Sequence, residues 1–127
     1  MNAAAPPFDI LPAERLIADR RNDASPSEVE AAPTLRVAAA EVVREGYLLH
    51  YGEPRWYAIP DRDLALLAGD RMYAAGLAAL AADGDTEAVS ALAALIAGCA
   101  EAHALDESAR ADKLWESTLA MLAPGSD

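Results

Sequence analysis

The sequence predicts an all-α protein, a compact bundle of about five helices. Apolar residues make up 54% of the 127 residues, which is enough for one hydrophobic core. The apolar share comes mainly from alanine and leucine, and aromatic residues contribute only 6%, a mixture that favours helices over sheets. We therefore expect one helical domain over residues 12–123, between a flexible N-terminal arm at 1–11 and a C-terminal tail at 124–127.

The first part of the chain contains three helix starts. Residues 12–21 are expected to form a short helix, with a proline in its first turn and arginines in its last, where they complement the helix dipole. Residues 25–28, Ser-Pro-Ser-Glu, form a capping box, which begins another helix. Pro33 and Thr34 can start a further helix. Its core-facing stripe is Leu35, Ala39, Val42, Gly46 and Leu49.

Residues 47–59 allow two interpretations. Apolar and aromatic residues flank a Gly-Glu-Pro turn on both sides, as in a β-hairpin. Alternatively, the preceding helix continues through Tyr51, and a loop carries Trp56 and Tyr57 back over the core. We prefer the helix and loop, because an isolated two-stranded ribbon is only marginally stable in water.

The helix expected over residues 62–83 is the clearest element of the sequence. Asp61 is a suitable N-cap, and Gly84 is suited to the C-terminal end. The helix is apolar nearly all round, so we expect it at the centre of the bundle. Gly69 and Gly76 should allow a neighbouring helix to cross closely.

Two further helices should follow, packed antiparallel. The connection at residues 83–85, Asp-Gly-Asp, is short enough to force a helical hairpin. The helix after it carries a stripe typical of antiparallel packing: Val89, Leu92, Ile96, Cys99 and His103. The last helix should begin near Asp106 and end at Pro124. Its inward residues are expected to be Leu114, Trp115, Thr118, Leu119 and Leu122.

Charge and targeting signals narrow the possible partners. Ten basic residues stand against 21 acidic ones, a formal net charge of −11 that would repel nucleic acid and anionic membranes. Cys99 is the single cysteine, so an internal disulfide is impossible. The N-terminus lacks a signal-peptide pattern, and no stretch approaches the roughly 18 uncharged apolar residues of a membrane span. We expect a cytoplasmic protein that binds no nucleic acid and does not span a membrane.

The sequence contains no complete catalytic or metal-binding motif. His50 and His103 are far apart and lack a recognised metal-ligand spacing, and His103 fits a half-buried histidine near a helix C-terminus. A phosphate-binding glycine loop, a nucleophile elbow and a Cys-His pairing are all missing. The carboxylate pairs at 61–63 and 83–85 fit helix capping. We therefore predict no catalytic residue, no metal site and no cofactor.

Asp70 is the first candidate for a binding role. At helical spacing it shares an apolar face with Leu66, Tyr73 and Leu77. A buried carboxylate there would cost several kcal/mol unless it were paired. Either a buried link from Asp70 to an arginine or a tyrosine fixes the helix register, or Asp70 contacts a ligand or partner together with Tyr73.

An aromatic segment provides the second set of candidates. It comprises Tyr47, His50, Tyr51, Trp56 and Tyr57, bracketed by Arg44 and Arg55. Such residues are the usual anchors of protein interfaces. They can also cover the end of a small helical core, and the sequence leaves both interpretations open.

Residues 64–81 resemble a helix of the trans-isoprenyl diphosphate synthases, through the Leu-Ala-Gly-Asp element at 67–70. The following segment at 84–96 looks like the next helix in the small, non-catalytic component of two-part heptaprenyl diphosphate synthases. The resemblance implies a cytoplasmic helical subunit that supports a catalytic partner in isoprenoid biosynthesis. The Asp-Asp-x-x-Asp element that would hold magnesium and diphosphate is missing, so this chain cannot be such a synthase alone.

These observations favour a non-catalytic helical subunit or interaction module. The expected partner is a second copy or a larger helical protein, with a polyprenyl diphosphate synthase as the specific candidate. The alternative is a small ligand-binding or enzymatic bundle with a pocket around Asp70, Tyr73 and His50.

Overall fold

A computed structural model describes residues 19–20 and 31–125 of the chain. The described part contains a two-stranded antiparallel ribbon and four helices: β1 (Asp19–Arg20), α1 (Leu35–Tyr51), β2 (Tyr57–Ala58), α2 (Arg62–Ala82), α3 (Thr86–Ala104) and α4 (Ser108–Leu122). The predicted all-α class is confirmed, with four helices in this part rather than about five.

The N-terminal predictions are tested at two residues only. Asp19 and Arg20 form strand β1, which pairs with Ala58 and Tyr57. The helix predicted over 12–21 is therefore wrong at these residues, because bonding to the β2 backbone replaces the local helical bonds. The rest of that helix, the arm at 1–11 and the capping box at 25–28 lie outside the described residues.

Three of the four helices begin where the sequence places a capping side chain. In each case a side-chain oxygen accepts a bond from the amide three residues further on, at 2.9–3.2 Å, which satisfies one otherwise unpaired donor of the first turn. The capping residues are Thr34, Asp61 and Asp85. Gly84, with φ of +77°, makes the turn between α2 and α3. These predicted boundaries are confirmed, as is the continuation of α1 through Tyr51.

Helix α1, rather than α2, lies at the centre of the bundle. Its Val42 and Leu49 belong to a core cluster with the inward face of α2 and with Trp56. Its Val43 and Tyr47 belong to a second cluster with α3 and α4. The prediction of a central helix at 62–83 is wrong because much of the apolar surface of that helix is alanine, which loses little when it stays exposed.

The closest helix contact is the crossing of α1 and α2 at glycines. A Cβ atom on Gly46 would lie 2.7 Å from the carbonyl oxygen of Gly69, and a Cβ atom on Gly76 would lie 2.9 Å from that of Ala39. The two contact points are seven residues apart on each helix, as expected for two antiparallel helices in register. The predicted close crossing at Gly69 and Gly76 is confirmed.

The other helix pairs contact each other to different extents. Helices α2 and α3 contact each other less than α1 contacts α2 or α3 contacts α4, although only three residues join them. They must therefore diverge from their link, and the expectation that the later helices both pack against a central α2 is wrong, because α3 packs more closely on α4. In α4, Trp115 and Leu122 are buried as predicted, whereas Leu119 lies at the surface.

Helices α2 and α3 are also long and apolar enough to cross a lipid bilayer, judged by length and composition alone. Each is less than half buried in the bundle. The core helix of a water-soluble protein has the same length and composition, so these two properties do not decide between the two environments.

The crossing of α1 and α2 predicts a specific stability difference. Gly46→Ala should destabilise the fold by about 1–3 kcal/mol, because the new methyl group would meet backbone that cannot move away. Gly98→Ala is the matched control: its Cβ would lie 3.0 Å from the flexible end of Leu114, and alanine gains up to about 1 kcal/mol of helix propensity. Urea unfolding of both variants checks this. Equal stabilities would show that the crossing is not tight.

Candidate functional site

The structure divides the predicted site residues between two sides of α1. Tyr47, His50, Tyr51 and Tyr73 come together with His103, which the sequence analysis did not place with them. We call these five residues the aromatic surface. Arg55, Trp56 and Tyr57 lie in the loop and strand before α2, where Trp56 and Tyr57 belong to the cluster shared with α2.

The centre of the aromatic surface is a contact between α1 and α3. The hydroxyl oxygen of Tyr47 lies 2.8 Å from Nε2 of His103, within hydrogen-bond distance. The ring of Tyr51 stacks on the His103 ring, with centroids 4.0 Å apart and planes only 6° from parallel. Tyr51 remains 40% exposed, so the stack lies at the surface of the protein.

His50 connects this centre to α2. Its Nε2 lies 3.0 Å from the carbonyl oxygen of Leu66, which can only accept, so Nε2 carries a proton and donates it. Arg62 donates to the carbonyl oxygen of His50 at 2.9 Å. The His50 ring also meets the Tyr73 ring edge-on, at 5.1 Å between centroids. Both the ring and the backbone of His50 are thus held in place.

Asp70 lies at the rim of the aromatic surface and not in the core. Its side chain is 66% exposed, and its Oδ1 lies 3.2 Å from Nε2 of His50. The expectation of a buried link to an arginine or a tyrosine is therefore wrong. The reason is the divergence of α2 and α3, which leaves the row containing Leu66 and Tyr73 only half covered.

Burial disfavours the charged forms of two tyrosines and of the cysteine in this region. Burial raises the pKa of Tyr73 and of Tyr47 above the ordinary tyrosine value, and it also raises the pKa of the Cys99 thiol. The protonated Tyr47 hydroxyl can therefore donate to His103. No group of three or more His, Cys, Asp and Glu side chains that could hold a metal ion occurs in residues 19–20 and 31–125.

Arg44 lies beside the aromatic surface. Its guanidinium sits 5.0 Å from the centre of the Trp115 ring, a cation–π arrangement, and Trp115 in turn meets Tyr47 edge-on at 5.3 Å. The rings of α1, α3 and α4 are therefore continuous beneath the exposed Tyr51. In the sequence, the only indication that these rings would meet was the helical spacing of the apolar stripe that includes His103.

Glu45 is a buried carboxylate with several specific contacts, and the sequence analysis did not identify it. It is completely buried, and its carboxylate accepts from the backbone amides of Arg55 and Trp56 at 3.0 and 2.9 Å. The Arg55 side chain contacts both Glu45 and Glu41, at 3.3 and 2.6 Å, and lies over the Trp56 ring. The signal was present as two glutamates four residues apart on an apolar helix, with an arginine in the next loop.

The contacts of Glu45 position the loop within residues 47–59, the segment for which the sequence allowed two interpretations. Trp56 and Tyr57 return over the core, as the preferred interpretation expected, but Tyr57 begins a short strand that this interpretation did not include. Strand β2 pairs with β1 and not with the end of α1. A shallow, open depression of about 350 Å³ lies beside this loop, lined in part by Leu49, Pro54 and Arg62. Asp70 and the tyrosines do not line it.

The buried carboxylate predicts a large effect of a small substitution. Glu45→Gln should destabilise the protein by about 2–4 kcal/mol, because the charge that pairs with Arg55 is lost and the new NH2 group faces a backbone amide that also donates. The exposed Glu87→Gln should change stability by less than about 0.5 kcal/mol. Thermal or urea unfolding measures both. A similar small effect at the two positions would contradict the structural role of Glu45.

The raised pKa of Tyr73 predicts a fall in stability at alkaline pH. The folded protein holds this proton more tightly than the unfolded chain, so the stabilisation is complete below about pH 10 and is lost as pH rises above it. Each linked proton changes the free energy of unfolding by at most about 1.4 kcal/mol per pH unit. Tyr73→Phe should make the decline between pH 9.5 and 11.5, measured by urea unfolding, shallower. An unchanged slope would contradict the burial of this phenol.

Comparisons with protein-family models, with curated proteins and with solved structures give no match to this chain.

Proposed function

We propose that this chain is a non-catalytic helical subunit or interaction module, and that its aromatic surface contacts another protein. The observation that carries the proposal is the exposed Tyr51 ring, stacked flat on His103 and supported by rings from three helices. Tyrosine and other aromatic side chains are enriched at interfaces, since they bury a large area with few rotatable bonds.

The rigidity of the surface supports binding. Tyr47 and His103 hold each other, and His50 is fixed through both its ring and its carbonyl group. Side chains that are already ordered lose little conformational entropy when a partner covers them. A contact made through this surface therefore keeps most of the free energy gained from burial.

The same internal contacts argue against a catalytic use of these residues. The side chain of Tyr47 is buried, and Nε2 of His50 is bonded to the backbone of α2. A general base or nucleophile needs a free polar atom directed at a substrate. The alternative of a ligand pocket at Asp70 needs an enclosed cavity there, and the depression described above lies beside the loop before α2.

The partner is either a second copy or a larger helical protein of the cytoplasm. The resemblance of residues 64–81 to isoprenyl diphosphate synthases makes the catalytic subunit of a two-part polyprenyl diphosphate synthase the specific candidate. Asp70, the last residue of the Leu-Ala-Gly-Asp element, lies at the rim of the aromatic surface through its contact with His50. One residue of the element that carries the resemblance thus lies beside the residues proposed to bind.

Light scattering combined with size-exclusion chromatography tests the proposal. The chain, of 13.3 kDa, is measured alone and with the purified catalytic subunit of a two-part heptaprenyl diphosphate synthase. We expect a dimer or a mixed complex, and Tyr51→Glu should abolish it by placing a charge in the contact. Leu119→Glu is the control, because Leu119 is also an exposed apolar residue but lies near the C-terminal end of α4.

Both variants should melt within a few degrees of the unmodified chain, which establishes that they fold. A chain that stays monomeric in both measurements contradicts the proposal for these partners. A complex that Tyr51→Glu leaves intact shows that another surface makes the contact.

A further inference from the structure

The divergence of α2 and α3 leaves two rows of half-buried, mostly apolar residues, which include Tyr73 and His103 of the aromatic surface. On α2 the row is Leu66, Tyr73 and Leu77, and on α3 it is Val89, Ile96 and His103. Four of these, the two on each helix nearest the link, pack against the edge of the second core cluster. We call the surface between these two rows the cleft.

The outer edges of the cleft differ in chemistry. On α2, Asp63 and Asp70 are exposed and stand seven residues apart, which places them on one side of the helix about 10 Å from each other. Arg71 follows Asp70 directly and so points about 100° away around the helix. Arg62 is bonded to the backbone of His50. The α2 edge of the cleft is therefore acidic.

The α3 edge is uncharged and flat. Between Glu87 and Glu101 the helix contains no charged residue, and the exposed positions there include Ala93, Ala97 and Ala100. Alanines at spacings of four and three residues allow another helix to approach closely. These alanines border the apolar row of α3 and lie across the cleft from the acidic edge of α2.

We propose that the cleft between α2 and α3 binds an amphipathic helix of a partner protein, whose lysine or arginine residues contact Asp63 and Asp70. The inference rests on the proposed function and specifies its partner. An apolar groove between two helices accepts a helix with apolar residues at spacings of three, four and seven. Two carboxylates about 10 Å apart match basic residues two turns apart on that helix.

Charge decides between the possible occupants. A second copy of this chain brings another net charge of −11 to the acidic edge, whereas a basic helix is attracted to it. A membrane surface is the other structure that an apolar cleft could meet. The carboxylates at its edge oppose insertion among lipid headgroups, especially anionic ones.

The test uses two synthetic helical peptides of about 18 residues with the same leucine and alanine face. One carries lysines at seven-residue spacing on its flank, and its twin carries glutamates at the same positions. Fluorescence anisotropy of each labelled peptide with the full chain should show binding of the lysine peptide, about tenfold or more tighter than binding of its twin. High salt should weaken this binding.

Two double variants with equal charge changes locate the contact. Asp63→Asn with Asp70→Asn should weaken binding of the lysine peptide about fivefold or more. Asp112→Asn with Glu116→Gln, on the exposed side of α4, should leave it unchanged. An equal loss in both would mean attraction to the overall charge of the protein and would overturn the proposal.

Three other outcomes would also overturn it. Equal binding of both peptides would show a purely apolar contact, and failure of both would show that the cleft takes no helix. Sedimentation of the chain with phosphatidylcholine vesicles would assign the cleft to a membrane. The Tyr51→Glu measurement stands apart from these, since a complex lost in that variant supports the aromatic surface even when neither peptide binds.

Discussion

The close crossing of α1 and α2 is the contact on which the rest of the structure depends. At Gly46 and Gly69 the two backbones approach until a single methyl group would collide with a carbonyl oxygen. The glycines of α2 also let His50 and Val43 of α1 pack directly against its backbone, and the other large residues lie on either side of this line. Leu49 and Trp56 fill the core on one side. His50 and Tyr73 meet on the other, and this meeting creates the aromatic surface.

The buried Glu45 explains why only one side of α1 stays open. A carboxylate without water is costly unless donors surround it, and the loop before α2 supplies two backbone amides and the Arg55 side chain. The loop therefore remains fastened over its side of the core, with Trp56 buried beneath Arg55. Within residues 31–125 the opposite side has no comparable cover, and Tyr51 and Tyr73 stay partly exposed there.

Local signals in the sequence predicted the parts of the fold that depend on local bonds. Thr34, Asp61 and Asp85 begin helices because each bonds an amide three residues away, a contact that spacing alone reveals. The burial of Glu45 and the exposure of Asp70 could not be predicted in this way. Both depend on which face of a helix meets a neighbour, and an alanine-rich helix has apolar residues on several faces.

The candidate site shows the same division between local and tertiary information. The aromatic residues at 47–57 were found as a group in the sequence, yet the fold sends Trp56 and Tyr57 to one side of α1 and Tyr47 and Tyr51 to the other. Trp56 and Tyr57 follow the end of α1, and the loop bound by Glu45 carries them to the side shared with α2. His103 joins Tyr47 and Tyr51 in place of Trp56 and Tyr57, because α3 lies beside α1 there. The aromatic surface is therefore a product of the tertiary fold, and it persists only while the α1–α2 crossing keeps His50 and Tyr73 together.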